Sequence, residues 1–160
     1  MICFRFCVLA VLVLGASAFP DGAPIDACVK PRTNQPNHGR ARSQAPESSP
    51  YQILASGNVY GPGSQIQVTI QGRDTFKGFL IQARDAVTNE WIGGWLEGPN
   101  FKIHPECSAV THADPKEKQQ ATFIWQAPQH ISQGSVYFTG TVLKEYSTFW
   151  SDLVSQVAAK

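Results

Sequence analysis

The residues best suited to chemistry in this chain of 160 are four histidines, at positions 38, 104, 112 and 130. His104 and His112 flank Cys107, and with Glu106 they form a nitrogen–carboxylate set of the kind that holds zinc. None of the four stands at i, i+4 from another on a plausible helix, and loop histidines ordinarily serve as surface donors. No metal is expected. The sequence has no Gly-x-Ser-x-Gly elbow, no His-Glu-x-x-His helix and no glycine-rich phosphate loop. No pair of carboxylates stands out for glycoside cleavage either. The chain reads as a binding protein, not an enzyme, and no cofactor is expected.

One segment is chemically distinct. Lys30, Arg32, Arg40 and Arg42 lie between Cys28 and Glu47 with no acid among them, and His38 sits in their midst. A solvated loop is the plainer reading of four charges so thinly spread. The sharper one is a local anion-binding patch, because the planar fork of arginine donates two hydrogen bonds to a phosphate at once. Trp91 and Trp95 offer rings for stacking on sugar or lipid, although core packing is the plainer role for both. Over the whole chain charge is balanced, with 13 basic and 12 acidic residues and only 16% of residues charged. No global field exists to hold nucleic acid or an anionic membrane. The run Asp114-Pro115-Lys116-Glu117-Lys118 reads as an exposed connection.

The amino terminus carries an address. Arg5 is followed by an apolar run, Val8 to Leu14, then Gly15 and the small triplet Ala16-Ser17-Ala18. This is the three-part pattern of a secretory signal over residues 1–18, and the run is too short for a membrane span. Cleavage leaves one domain, 19–160, in an extracellular fluid. It also removes Arg5, so 13 − 1 = 12 basic residues face 12 acidic ones. Cys3 and Cys7 depart as well. Cys28 and Cys107 then have one intramolecular pairing open to them, beside two free thiols or an intermolecular bridge.

These residues must be positioned by strands. The segment 19–50 is rich in Pro, Gly, Ser, Asn and Arg and shows no period, so it is expected to be irregular. Gln65 to Gln71 alternates strictly, with Ile66, Val68 and Ile70 on one face, until Gly72 to Thr75 breaks the run. Phe79, Ile81 and Ala83 repeat the alternation, as do Phe123 and Trp125, and then Val136, Phe138, Gly140 and Val142. The paired glycines Gly93-Gly94 suggest a bulge or close backbone packing. Leu153 to Ala159 reads as a frayed tail or one helical turn. Seven to eight short antiparallel strands and no long amphipathic helix predict an all-β sandwich.

Several stretches together resemble a reeler domain, the module at the amino terminus of reelin. They begin with the run from Phe19 to Cys28 (FPDGAPIDAC) and His38-Gly39, followed by Tyr60-Gly61-Pro62-Gly63. Phe76 to Arg84 (FKGFLIQAR) is the most specific match. Cys107 to His112, Trp125-Gln126-Ala127-Pro128, Val136 to Val142 and Thr148-Phe149-Trp150 complete the order. A single reeler domain behind a signal is similar to the secreted insect defence proteins that promote haemocyte nodulation. The resemblance implies an immunoglobulin-like sandwich, a Cys28–Cys107 bond and no catalytic residue. It further implies a role in innate immunity, with binding of microbial glycolipids such as lipopolysaccharide, contact with the haemocyte surface and antimicrobial activity.

Near-neutral charge sets the chain apart from cationic lytic peptides, so recognition is expected ahead of lysis, by a monomer. The alternatives are an adhesive or structural extracellular module, and the module that accompanies haem-dependent ferric reductases. The latter needs membrane and redox segments that these 160 residues do not contain.

Overall fold

The computed structural model describes residues 20–29 and 34–159. The expected signal, 1–18, lies outside the described residues, as do Lys30 and Arg32. Among the described residues the strands are β1 (Tyr51–Ala55), β2 (Val59–Tyr60), β3 (Gln65–Phe76), β4 (Gly78–Asp85), β5 (Gly94–Trp95), β6 (Phe101–His104), β7 (Ala109–His112), β8 (Lys118–Gln126), β9 (Gly134–Glu145), β10 (Thr148–Val154) and β11 (Gln156–Val157). A four-residue helix, α1 (Asp26–Val29), and two 3-10 turns, at Pro46–Ser48 and Pro105–Cys107, are the remaining elements.

Two sheets stack face to face. The first runs β11-β1-β3-β8-β5, and the second runs β10-β9-β4-β7-β6 with β2 added to the start of β9. The nine residues expected to face inward from the alternating strands (66, 68, 70, 79, 81, 123, 125, 136 and 138) are each at most 3% exposed. Aromatic rings interlock in tilted and edge-to-face contacts across the sandwich. Phe123 lies 5.1 Å from both Phe79 and Phe101, and Trp125 lies 5.8 Å from Phe138, centroid to centroid. Such offset contacts add to the burial energy of each ring. Gly93, at φ +68°, lets the chain press against Trp125, since a Cβ there would stand 2.5 Å from the indole. Trp125 Nε1 donates to the Ile92 carbonyl at 2.9 Å.

The strand count and two boundaries depart from expectation. There are eleven strands, not seven or eight, because two-residue ladders such as β5 and β11 are too short to leave a periodic trace. Gly72 does not end β3. It permits the start of β1 to come close, as a Cβ there would lie 2.3 Å from the Pro50 carbonyl, and the strand continues through a register shift to Phe76. The carboxyl-terminal stretch is neither frayed nor helical. β10 runs to Val154, Ser155 bonds Phe138 through backbone and hydroxyl, and β11 crosses to the first sheet. There it pairs parallel with β1, so the sandwich is not wholly antiparallel.

The described residues 20–29 and 34–50 form a strap across the outer face of the second sheet. Asp21 meets Lys102 at 2.9 Å beside β6, and the Ala23 N–H donates to Thr111 Oγ1 on β7. Cys28 and Cys107 are disulfide-bonded with Cα atoms 6.2 Å apart, and with Leu80 and Ala109 they form a second small core under the strap. Farther on, the Asn34 carbonyl accepts from Thr141 on β9. The Gln44 N–H donates to the Phe149 carbonyl on β10 at 2.8 Å. Trp150 Nε1 then donates to Ser48 Oγ at 2.9 Å, just before the chain enters β1. This cover explains why every residue from Gly78 to Ala83 is buried, where simple alternation exposes every second one.

Three outcomes follow. Phe123→Ala or Trp125→Ala is expected to lower stability by about 3–5 kcal/mol, read from chemical unfolding, because each ring is buried and its cavity cannot collapse. Non-reducing peptide mapping of the native protein is expected to recover Cys28 and Cys107 in one linked fragment, with no free thiol at either. The bond closes a loop spanning 79 positions, worth about 4–5 kcal/mol of chain entropy. The third outcome concerns His38, whose pKa burial pushes below 6.5 against a smaller opposing effect of the Tyr146 carbonyl. Its folded state favours neutral imidazole, so the stability it confers is complete above pH 6.5. That stability is lost as pH falls through the lower folded value. Melting temperatures from pH 7.5 to 4.5 are expected to fall more steeply for the wild type than for His38→Phe.

Candidate functional site

The basic segment is split by the structure. Arg40 and Arg42 are exposed on the far end of the strap, while Lys30 and Arg32 lie outside the described residues. The two arginines are held from both sides. His38 stacks on Tyr146 with centroids 4.1 Å apart and meets Phe149 edge-on, and its Nδ1 contacts the Tyr146 carbonyl. On the other side the Ser151 N–H donates to Ser43 Oγ at 2.8 Å, and Gln44 adds the backbone bond to Phe149. The loop is therefore anchored at both ends, by His38 on Tyr146, which is 42% exposed, and by Ser43 and Gln44 on β10, with the exposed Arg40 and Arg42 between these anchors. Cations within a few residues of an anchored, exposed ring offer the two kinds of surface that an amphipathic anion requires. Anchoring also spares part of the ordering entropy that binding would otherwise cost.

The histidines disperse. His112 is buried on β7, with Nδ1 3.2 Å from the Phe79 N–H. His104 Nε2 contacts the Ala23 carbonyl at 2.8 Å and so helps to seat the strap. Among the described residues no three metal-binding side chains gather. The two tryptophans part company as well. Trp95 is in the core and donates from Nε1 to the Ser108 carbonyl, whereas Trp91 is exposed with the Arg84 guanidinium 5.9 Å above its ring.

Sequence reasoning missed a cleft at the opposite edge of the second sheet. It has a volume of about 450 Å3, with Phe79, Phe101 and Phe123 at its base and Asp114, Lys116 and Glu117 along its rim. The charged run expected to be a mere exposed connection builds this rim. Lys118 is drawn inward, donating to Asp114 Oδ1 at 3.1 Å and to the carbonyls of Lys77, Asp114 and Lys116. The Lys116 N–H, and after it the Lys118 ammonium, holds the Asp114 carboxyl below its usual range. The rim is charge-balanced and gives an anion no net attraction. The cleft is built from segments far apart in sequence, and the charges at 114–118 were its only local trace.

The comparisons with known proteins agree with this architecture. The reeler domain model matches residues 27–160. A protein of Antheraea mylitta named "Putative defense protein 3" is 35% identical over 94% of this chain and 91% of its own length. Ferric-chelate reductase 1 of Mus musculus is 30% identical over 96% of this chain, but the match spans 26% of that protein. Among solved structures, the human F-spondin reeler domain superimposes with a TM-score of 0.56 over 78% of this chain and 96% of that one, at 17% identity. A family model spanning the described fold, together with relatives matched along most of their length, shows that this chain belongs to the reeler domain family.

Proposed function

We propose that this chain is a secreted defence protein that binds anionic glycolipids of the microbial surface, of the lipopolysaccharide kind, and so promotes antibacterial response or haemocyte nodulation. It acts by recognition and not by catalysis. Its similarity along most of its length to insect proteins named for defence supports the biological setting. The observation that carries the site is the anchored loop on which the exposed Arg40 and Arg42 follow His38, itself stacked on the exposed Tyr146. A glycolipid brings phosphates for the arginines and apolar chains for the ring. The loop has no acid between Cys28 and Glu47 to compete for them.

The second reading is an adhesive module acting on host surfaces. It is favoured by the match to a quarter of a larger reductase, which shows the same domain serving as one part of another protein. Sedimentation with bacteria separates the two. Purified protein is expected to pellet with the cells and to be displaced by free lipopolysaccharide. Arg32, Arg40 and Arg42 replaced together by Gln are expected to weaken that binding at least fivefold at low salt, with an unchanged melting temperature. Screening is expected to narrow the difference as salt rises past physiological strength. Equal affinity of triple variant and wild type at low salt removes the loop from the reading. Failure to pellet at all favours the adhesive module.

A further inference from the structure

The outer faces of the two sheets are treated in opposite ways. The strap covers the second sheet, whereas the outer face of the first is open to solvent, and its composition is unusual. The middle of this sheet, residues 51–55, 65–71, 94–95, 120–126 and 156–157, contains no Asp, Glu, Lys or Arg, in a chain with 25 such residues; Arg73, Asp74 and Lys118 stand at one end of β3 and β8, beyond the regular pairing. A solvent-facing sheet surface usually carries charges of both signs for solubility and to discourage edge association. Here the register aligns amides and hydroxyls instead. Gln52, Gln71 and Gln120 form one row across β1, β3 and β8, and Gln65 and Gln126 form another. Between them Thr69 and Thr122 bond through their hydroxyls at 3.0 Å.

We propose that this face binds an uncharged polysaccharide, at a surface separate from the arginine loop. A carboxamide offers two donors and an acceptor with two lone pairs, which suits ligands whose own groups both donate and accept, as hydroxyl and acetamido groups do. Among the described residues the side-chain amides of Gln67, Gln71 and Gln120 have no hydrogen-bond partner, and all three residues are exposed. Leu54, Ile124 and Leu96 interrupt the rows with partly exposed aliphatic surface, suited to the C–H faces of sugar rings.

The absence of charge selects among ligands. An anionic glycolipid placed on this face would lose hydration with no cation to replace it. A protein partner would meet a surface without the aromatic and arginine anchors of interface hot spots. A neutral polymer loses little on transfer, and the sheet repeats its groups about every 4.8 Å across strands and about every 6.8 Å along them. A long chain therefore meets several equivalent contacts at once, and weak single contacts sum to useful avidity.

The test is co-sedimentation of the full secreted protein with insoluble chitin and with cellulose, at physiological salt. Wild type is expected to pellet with at least one of them, and raising the salt is expected to leave the bound fraction unchanged. Gln67→Glu combined with Gln120→Glu is expected to lower apparent affinity at least fivefold while leaving melting temperature and lipopolysaccharide binding intact. Arg40→Gln combined with Arg42→Gln is expected to bind both polysaccharides as wild type does. The proposal is overturned if wild type pellets with neither polymer, or if the double Glu variant binds as tightly as wild type. It is equally overturned if sedimentation velocity shows a wild-type dimer that the Glu substitutions dissociate, since the face would then belong to a second copy of the chain.

Discussion

The bond between Cys28 and Cys107 is the constraint around which the second sheet is organised. Both half-cystines are fully buried, and they fasten α1 to the 3-10 turn that leads into β7. Leu80 and Ala109 are covered on that face of the sheet by the disulfide and by Ala23, Ile25 and Ala27 of the strap it fastens. Gln82, also fully buried, donates to the carbonyl of Cys107 itself, so its burial is tolerable only while that turn stays in place. Without the crosslink, a strap with no sustained secondary structure would pay its conformational entropy against a few backbone bonds and a small apolar cluster. The crosslink removes much of that cost from the unfolded chain instead.

The strap then dictates what each sheet can offer a partner. It spends the outer face of the second sheet on covering its own core, leaving only the arginine loop at the β10 edge and the charge-balanced cleft at the β6 edge. The first sheet bears no such cover, and its outer residues meet water directly. The inner faces of both sheets are filled by interlocked rings, and among the described residues they open only at the cleft over Phe79, Phe101 and Phe123. Recognition in this fold is therefore a property of surfaces and edges, with rigidity supplied from beneath by the aromatic core.

Legibility in the sequence followed the number of faces each strand buries. β3 alternates because one of its faces is solvated, and its inward residues could be read directly from the chain. β4 lies between the core and the strap, so Leu80 and Gln82 are buried along with Phe79 and Ile81, and period two carries only half of its environment. The arginine loop was visible as a run of basic residues without an acid. The stacking of His38 on Tyr146, 108 positions away, was not, because nothing local to either residue encodes it. The same holds for β11, whose two-residue parallel ladder with β1 depends on β10 having already crossed between the sheets.

The separation of charge from neutral polar surface also bears on why a nearly neutral protein can serve in defence. A cationic lytic peptide works by collecting positive charge on one amphipathic face, and its attraction to membranes is indiscriminate. In this chain acids and bases nearly cancel, and three lysines are held in ion pairs, Lys102 by Asp21, Lys118 by Asp114 and Lys144 by Asp74. The more exposed of these pairs contribute little to stability, but such pairing lowers the long-range field. Discrimination then falls to short-range geometry, in which two exposed arginines on an anchored loop ask something different of a ligand from what a flat array of amides asks. On the two proposals made above, anionic and neutral polymers would engage separate surfaces of one small domain, and neither contact would compromise the other.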